Sequence, residues 1–311
     1  MISVEGFTKR FHGVAAVSGL TFEVPAGCVA GFLGPNGAGK STTIRALAGA
    51  ILPDEGRLQV AGIDVVAAPT RARAAVGYLP DNAPMPGELR VGEYLRFRCA
   101  LWGVPADRRP AAIGEAVERC DIASVNRQLI STLSRGMRQR VGLAGVLVAA
   151  PRVIILDEPA TGLDPTTAIA FRTLVRGLRG SHTVLFSSHN LAEVEATCDH
   201  LVLIDRGRLV AAGSADTLAR AGASAARVEI ESTRIDLDAI RALPAVRSVR
   251  CTSLEGAWTR TEVEVQPSDS FHTQLPEAIG ALLAESGAVV RRLEVRAPSL
   301  EEVFTRLVGG R

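Results

Sequence analysis

The sequence predicts an α/β protein: a mostly parallel sheet carrying an antiparallel β subdomain and a helical subdomain, then a smaller α+β domain. Three observations predict it. Continuous apolar runs such as "CVAGFLG" (28–34), "RVIIL" (152–156) and "TVLFSS" (183–188) alternate with helical segments, the pattern of parallel strands covered on both faces. Short alternating pieces such as Leu20-Thr21-Phe22-Glu23-Val24 mark the first 30 residues as antiparallel strands. Past the Ala/Gly/Ser stretch "ARAGASAA" (219–226), strict alternation returns in Arg227–Glu231 and Thr261–Val265, as in strands with one wet face. A chain of 311 residues agrees with about two domains. We place them at 1–218 and 227–311, joined by a linker at 219–226.

In order along the chain, the buried strand at 28–34 leads into a helix over 39–50, and "GRLQVAGIDVV" (56–66) returns to strand and turn. From Glu88 to Gln128 the pattern is helical, broken at Gly103-Val104-Pro105 and Arg108-Arg109-Pro110. The strand at 152–156 precedes a helix from Pro165. The strand at 183–188 precedes a helix from Asn190. "LVLIDRGRLVAAG" (201–213) is strand, tight turn, strand. In the second domain, helical segments around 237–243 and 275–286 separate strands near 246–252 and 289–297. That β-α-β-β-α-β order suggests a ferredoxin-like module. Ser299-x-x-Glu302 reads as the capping box of a final helix. This domain carries no chemical motif.

A formal charge of +2 gives no reason to expect nucleic acid as a partner. The five cysteines (Cys28, Cys99, Cys120, Cys198, Cys251) are scattered without a C-x-x-C pair. They are expected to be small buried hydrophobes in a reducing compartment. "MISVEGFTKRFHG" lacks the apolar centre of a signal peptide. The longest apolar run, Val141 to Ala150, stops at Pro151, short of the ~20 residues that span a bilayer. Any membrane role is expected to come through a partner.

Chemistry concentrates in a few segments. Gly34-Pro35-Asn36-Gly37-Ala38-Gly39-Lys40-Ser41 fits G-x-x-x-x-G-K-[ST] between a buried strand and a helix. Its glycines let backbone N–H groups turn inward as an anion nest, and the helix N-terminus adds partial positive charge. Lys40 is expected on the β- and γ-phosphates of a nucleotide and the Ser41 hydroxyl on Mg²⁺. "VIILDEP" (153–159) ends a buried strand in Asp157, placed for Mg²⁺ or its bound water, with Glu158 beside it as general base. That role accelerates hydrolysis ~10²–10⁴-fold. His189, at the end of the next buried strand, is expected on the γ-phosphate. Asp164-Pro165 is an N-cap followed by proline at the first helical position.

With Gly34–Thr42, "LSRGM" (133–137), "VIILDEPATGLDP" and "SSH" in this order, residues 1–218 resemble the nucleotide-binding subunit of ABC transporters. The resemblance implies a P-loop ATPase domain that binds ATP through Gly34, Asn36, Gly37, Ala38, Gly39, Lys40, Ser41 and Thr42, with Phe11 stacked on adenine. It makes Asp164 the D-loop residue. It also implies that Ser134, Arg135, Gly136 and Met137 form a signature serving the ATP of a second, head-to-tail subunit. Physically, Ser134 offers a hydroxyl, Gly136 a backbone N–H, and the following helix its positive end. Three positions depart from the usual pattern. Arg135 stands where glycine is common (LSRGM against LSGGQ), with Met137 for glutamine. Asp81 in "VGYLPDN" stands where a glutamine that ligates Mg²⁺ is common, and we expect a Mg²⁺ or coupling contact there.

The ending "APSLEEVFTRLVGG" resembles the subgroup that pairs with separately encoded ABC-2-type membrane subunits, which includes drug, antibiotic, polysaccharide and gliding-associated exporters. The resemblance places the chain in the cytoplasm, peripheral on the membrane through its permease, and partnered by a second ATP-binding subunit. Val91, Tyr94, Leu95, Phe97 and Leu101 would form a docking groove, or pack inside a helical subdomain. A soluble ATPase of the same type acting on ribosomes or DNA is the alternative. Against it stand a single G-x-x-x-x-G-K-S and the lack of a coiled-coil or zinc insertion. A P-loop kinase would have no use for a signature.

Overall fold

A computed structural model describes residues 1–82, 84–214, 217–218, 227–244, 246–265 and 271–296. The chain divides into two compact units, Met1–Ala215 and Asp216–Arg311. The expected linker at 219–226 and the Ser299-x-x-Glu302 helix lie outside the described residues.

The first unit opens with a hairpin of β1 (Ile2–Phe11) and β2 (Val14–Val24), in which Phe11 pairs with Val14. Its two-residue turn, His12-Gly13, has positive φ at both positions, matching the twist of the flanking strands. Strand β1 also pairs antiparallel with β4 (Glu55–Val60), and β5 (Ile63–Asp64) completes the order β2-β1-β4-β5. The second sheet contains β3 (Val29–Leu33), β6 (Val76–Leu79), β7 (Val153–Leu156), β8 (Thr183–Ser188), β9 (His200–Asp205) and β10 (Arg208–Ser214). Their order is β10-β9-β3-β8-β7-β6, parallel except for the β9–β10 hairpin. Every residue of β3, β7 and β8 is buried, which explains why β3 and β7 read as unbroken apolar runs and β8 as an apolar centre.

Helix α1 (Lys40–Leu47) follows β3, and α2 (Pro69–Ala75), a short helix not anticipated, precedes β6. The helical region resolves into α3 (Val91–Leu101) and α4 (Arg109–Arg119). Val91, Tyr94 and Leu95 are buried there, so the packing alternative holds for them, while Phe97 and Leu101 are 50% and 63% exposed. Helix α5 (Arg135–Leu147) leads to β7, α6 (Pro165–Arg176) to β8, and α7 (Leu191–Glu195) follows β8. Among the described residues no helix is long and apolar enough to cross a membrane. Cys99 and Cys120 are buried and Cys28 and Cys198 partly so. Cys251 is exposed, against expectation; it lies on an edge strand of the second unit.

The second unit runs β11 (Arg227–Ser232), α8 (Leu237–Arg241), β12 (Val246–Ser253), β13 (Thr259–Val265), α9 (Phe271–Glu285) and β14 (Val290–Arg296). Its strand order is β12-β13-β11-β14, antiparallel throughout. Val228, Ile230, Val263 and Val265 face Ile240, Leu275, Ile279 and Leu283 of the helices in one apolar core.

Candidate functional site

The parallel register brings three strand ends together. Leu33 of β3 lies beside Ser188 of β8, and Leu156 of β7 beside Phe186. The segments leaving these ends are Gly34–Gly39, Asp157-Glu158 and His189. The carboxyl edge of a parallel sheet is where such folds bind ligands.

Gly39 caps α1 at φ 99°, and a Cβ there would sit 2.9 Å from the Ala16 carbonyl oxygen. Only glycine holds that turn without strain. The loop then delivers Lys40 as a buried ammonium, whose Nζ donates to Gly34 O (2.7 Å) and Pro35 O (3.3 Å) and stands 3.5 Å from Glu158 Oε1. Asn36 and Gly37 are exposed. Ala38 has its methyl in the core and donates its N–H to Pro35 O at 3.1 Å. Ser41 is exposed and Thr42 half-buried, and the Ser41 hydroxyl favours the ionised form of Asp157.

Burial pushes the Asp157 carboxyl above its ordinary range, with the neighbouring Glu158 charge adding to the shift. The Ser187 hydroxyl, donating at 2.8 Å, opposes it. Ser187 also accepts the Glu158 N–H at 2.8 Å. Glu158 has φ 45°, a left-handed conformation that costs a non-glycine residue of order 1 kcal/mol and is typical of functional turns. Burial would raise its carboxyl. The Thr161 hydroxyl, the Lys40 ammonium and His189 outweigh that and hold it below the ordinary value. Oε2 accepts from Thr161 Oγ1 at 3.0 Å and lies 3.1 Å from His189 Nδ1; the His189 ring is 51% exposed.

A hydroxyl and a carboxylate are hard oxygen donors, and Mg²⁺ takes one or two protein oxygens while substrate phosphate and water supply the rest. Ser41 and Asp157 fit that ion. Among the described residues no cluster of three or more His, Cys, Asp or Glu is placed to hold a metal alone. Phe11 is 46% exposed at the tip of the first hairpin with Lys9 Nζ 5.7 Å from its ring centre, so it is not a core residue.

The signature segment is built separately. Ser134 caps α5, its Oγ accepting the Met137 N–H at 3.2 Å. Gly136 is buried, and a Cβ there would meet Thr167 Cγ2 at 2.2 Å. Close packing of α5 on α6 therefore adds a packing reason for this glycine to the ligand contact expected of it. Asp164 caps α6, accepting the Thr167 N–H at 3.0 Å. No hydrogen bond or ion pair among the described residues joins 134–137 to the loop 34–42. The Asp81 carboxylate meets Arg135 (3.5 Å). Sequence reasoning missed Ser187, Thr161 and Thr167. Of these, Ser187 had a signal: a serine pair ending an otherwise apolar strand.

The sequence profile of the ABC transporter family matches residues 17–161. A daunorubicin resistance ATP-binding protein of Streptomyces coeruleorubidus is 35% identical, over 99% of this chain and 96% of its own length. A Nod factor export ATP-binding protein of Ralstonia nicotianae is 34% identical, over 99% and 94%. Among solved structures, an ATP-binding subunit of an ABC transporter aligns at TM-score 0.65 and 26% identity, covering 71% of this chain and 92% of that one. The chain belongs to the ABC transporter family, as one of its ATP-hydrolysing subunits.

Proposed function

We propose that this chain powers an ABC-2-type exporter by ATP-driven, head-to-tail closure with a second copy of itself or a similar ATP-binding subunit. One observation carries the reading. Lys40, Glu158 and His189 meet at the strand ends with Asp157 and Ser41 beside them, while the Ser134–Met137 segment makes no polar contact with that loop. A half-site so separated fits the nucleotide of another copy.

ATP would lie with its phosphates against Gly34–Thr42 and its adenine on Phe11. Ser41 and Asp157 would hold Mg²⁺, which when bound neutralises phosphate charge. Glu158 is ionised and held by Thr161 and His189, so it is oriented to accept a proton from the attacking water, with His189 also reaching the γ-phosphate. Displacement of the Lys40 ammonium onto phosphate would free one carboxylate oxygen of Glu158 for that water. Asp164, two residues past Gly162, would stand at the meeting of the copies.

The names of the relatives, daunorubicin resistance and Nod factor export, support an exporter whose permease is a separate membrane protein on whose cytoplasmic face this chain sits. Two measurements test the reading. Light scattering of Glu158→Gln with Mg-ATP should show a dimer, and Ser134→Arg should abolish it while leaving nucleotide bound. A persistent monomer at high concentration counts against paired closure. Tagged Glu158→Gln recovered from native membranes in detergent should bring a multi-span protein with it. Ribosomal proteins or DNA instead would overturn the transporter role.

A further inference from the structure

Arg135 and Asp81, the two charged residues that depart from the usual pattern, touch each other. Arg135 is the first residue of α5, at the positive end of a 13-residue helix with no acidic residue in its first turn. A cation there opposes the aligned peptide dipoles. The compensating carboxylate comes from another segment, with Asp81 Oδ1 3.5 Å from Arg135 Nη2. One turn further along α5, buried Gln139 donates Nε2 to the Asp81 carbonyl at 2.8 Å. Helix α5 thus grips Asp81 by side chain and backbone. The other flank of the guanidinium lies across Gly162, where φ is +71° and a Cβ would stand 2.7 Å from Nη1.

Both segments that the guanidinium touches lead back to the phosphate site. Asp81 follows β6, whose Leu79 carbonyl accepts the Asp157 N–H at 2.9 Å. Gly162 follows Thr161, which bonds the Glu158 carboxylate. A shift of Asp157 or Glu158 is therefore passed to the first turn of α5 through two short connections.

We propose that Arg135 and Asp81 are a matched positioning pair that sets the pose of Ser134–Met137 from the Asp157–Glu158 strand ends. Asp81 acts through Arg135 rather than on Mg²⁺. This rests on the reading that Ser134–Met137 completes the ATP site of a second copy.

The test is a double-mutant cycle on ATP hydrolysis by the full-length protein. Asp81→Asn and Arg135→Met should each lower kcat about 5-fold, the scale of an exposed ion pair. The double variant should fall no further than either single. ATP binding to the monomer and the Mg²⁺ concentration for half-maximal rate should stay at wild-type values. Arg135→Lys, which keeps the charge, should recover most of the loss. Thermal unfolding midpoints show whether each variant is folded, and Asp81→Glu provides a second charge-retaining probe if Asp81→Asn is not. Multiplicative losses, or a raised Mg²⁺ requirement confined to Asp81→Asn, would overturn the pair. Wild-type protein that fails to hydrolyse ATP would overturn the site reading instead, and the pair with it.

Discussion

The strand ends of the first unit and the sheet face of the second hold their charged side chains in different ways. In the first, Lys40 and Asp157 are buried at the strand ends, beside Glu158 on a strained turn. Their partners are backbone carbonyls and hydroxyls as much as counter-charges. In the second, charge on the sheet face away from the helices is neutralised across strands, even where it is buried. Glu231 accepts from Arg260 (2.8 Å) and Arg291 (2.9 Å), and Arg291 stacks on Trp258. A carboxylate matched by two arginines is already neutralised and needs no ligand. A cluster with a desolvated carboxyl and a displaceable ammonium is poised to receive one.

The largest effect that could break this contrast is loss of chemistry. Glu158→Gln should lower kcat roughly 10²–10⁴-fold while nucleotide binding persists, read by phosphate release and a fluorescent ATP analogue. Hydrolysis surviving near the wild-type rate would mean that the clustered geometry is not catalytic. Next, Ile279→Ala, fully buried in the second unit, should cost about 2–5 kcal/mol of stability. Phosphate release per folded molecule should not change; if it falls, the second unit is not chemically silent. Smaller again, Gly136→Ala forces a methyl onto Thr167 and should cost about 1–3 kcal/mol. Thr167→Ser removes the offending methyl, so the double variant should regain most of the unfolding midpoint. No recovery would mean that Gly136 is required for its backbone conformation or ligand contact instead.

What could be read from the sequence followed from how local each feature is. The apolar runs of β3 and β7, the apolar centre of β8 and the alternation of β11 and β13 report burial on two faces or one, so those strands were legible. The phosphate loop and the Asp157-Glu158 pair were legible because their chemistry is contiguous. Ser187 was legible only as part of a serine pair ending an apolar strand, since its double contact with Asp157 and the Glu158 amide exists only through the parallel pairing of β7 with β8. Nothing local discloses that Thr167, thirty-one positions on from Gly136, occupies the space of its missing side chain. The partner of Asp81, where a Mg²⁺ or coupling contact is expected, is hidden for a similar reason. The contact of Asp81 with Arg135 spans 54 positions of chain.

The finest distinction between the units is the sign of a carboxylate's effect on stability. Asp157 is raised above its ordinary 3.8 by burial, so its charge disfavours the nucleotide-free fold. That cost is full above the raised folded value and gone below 3.8. Glu231 is lowered from its ordinary 4.5 by hydrogen bonds from Arg260 and Arg291. Its contribution is full above 4.5 and lost as pH falls through the depressed folded value. Asp157→Asn should therefore raise the unfolding midpoint at neutral pH in EDTA without nucleotide, although it removes activity. Glu231→Gln should lower the midpoint and leave hydrolysis intact. Both differences should shrink as the solution is acidified, Asp157→Asn between its raised value and 3.8 and Glu231→Gln below 4.5. If both substitutions destabilise at neutral pH, burial at Asp157 is compensated by Ser41 and Ser187 more fully than its raised proton affinity implies. The contrast would then rest on geometry and strain alone.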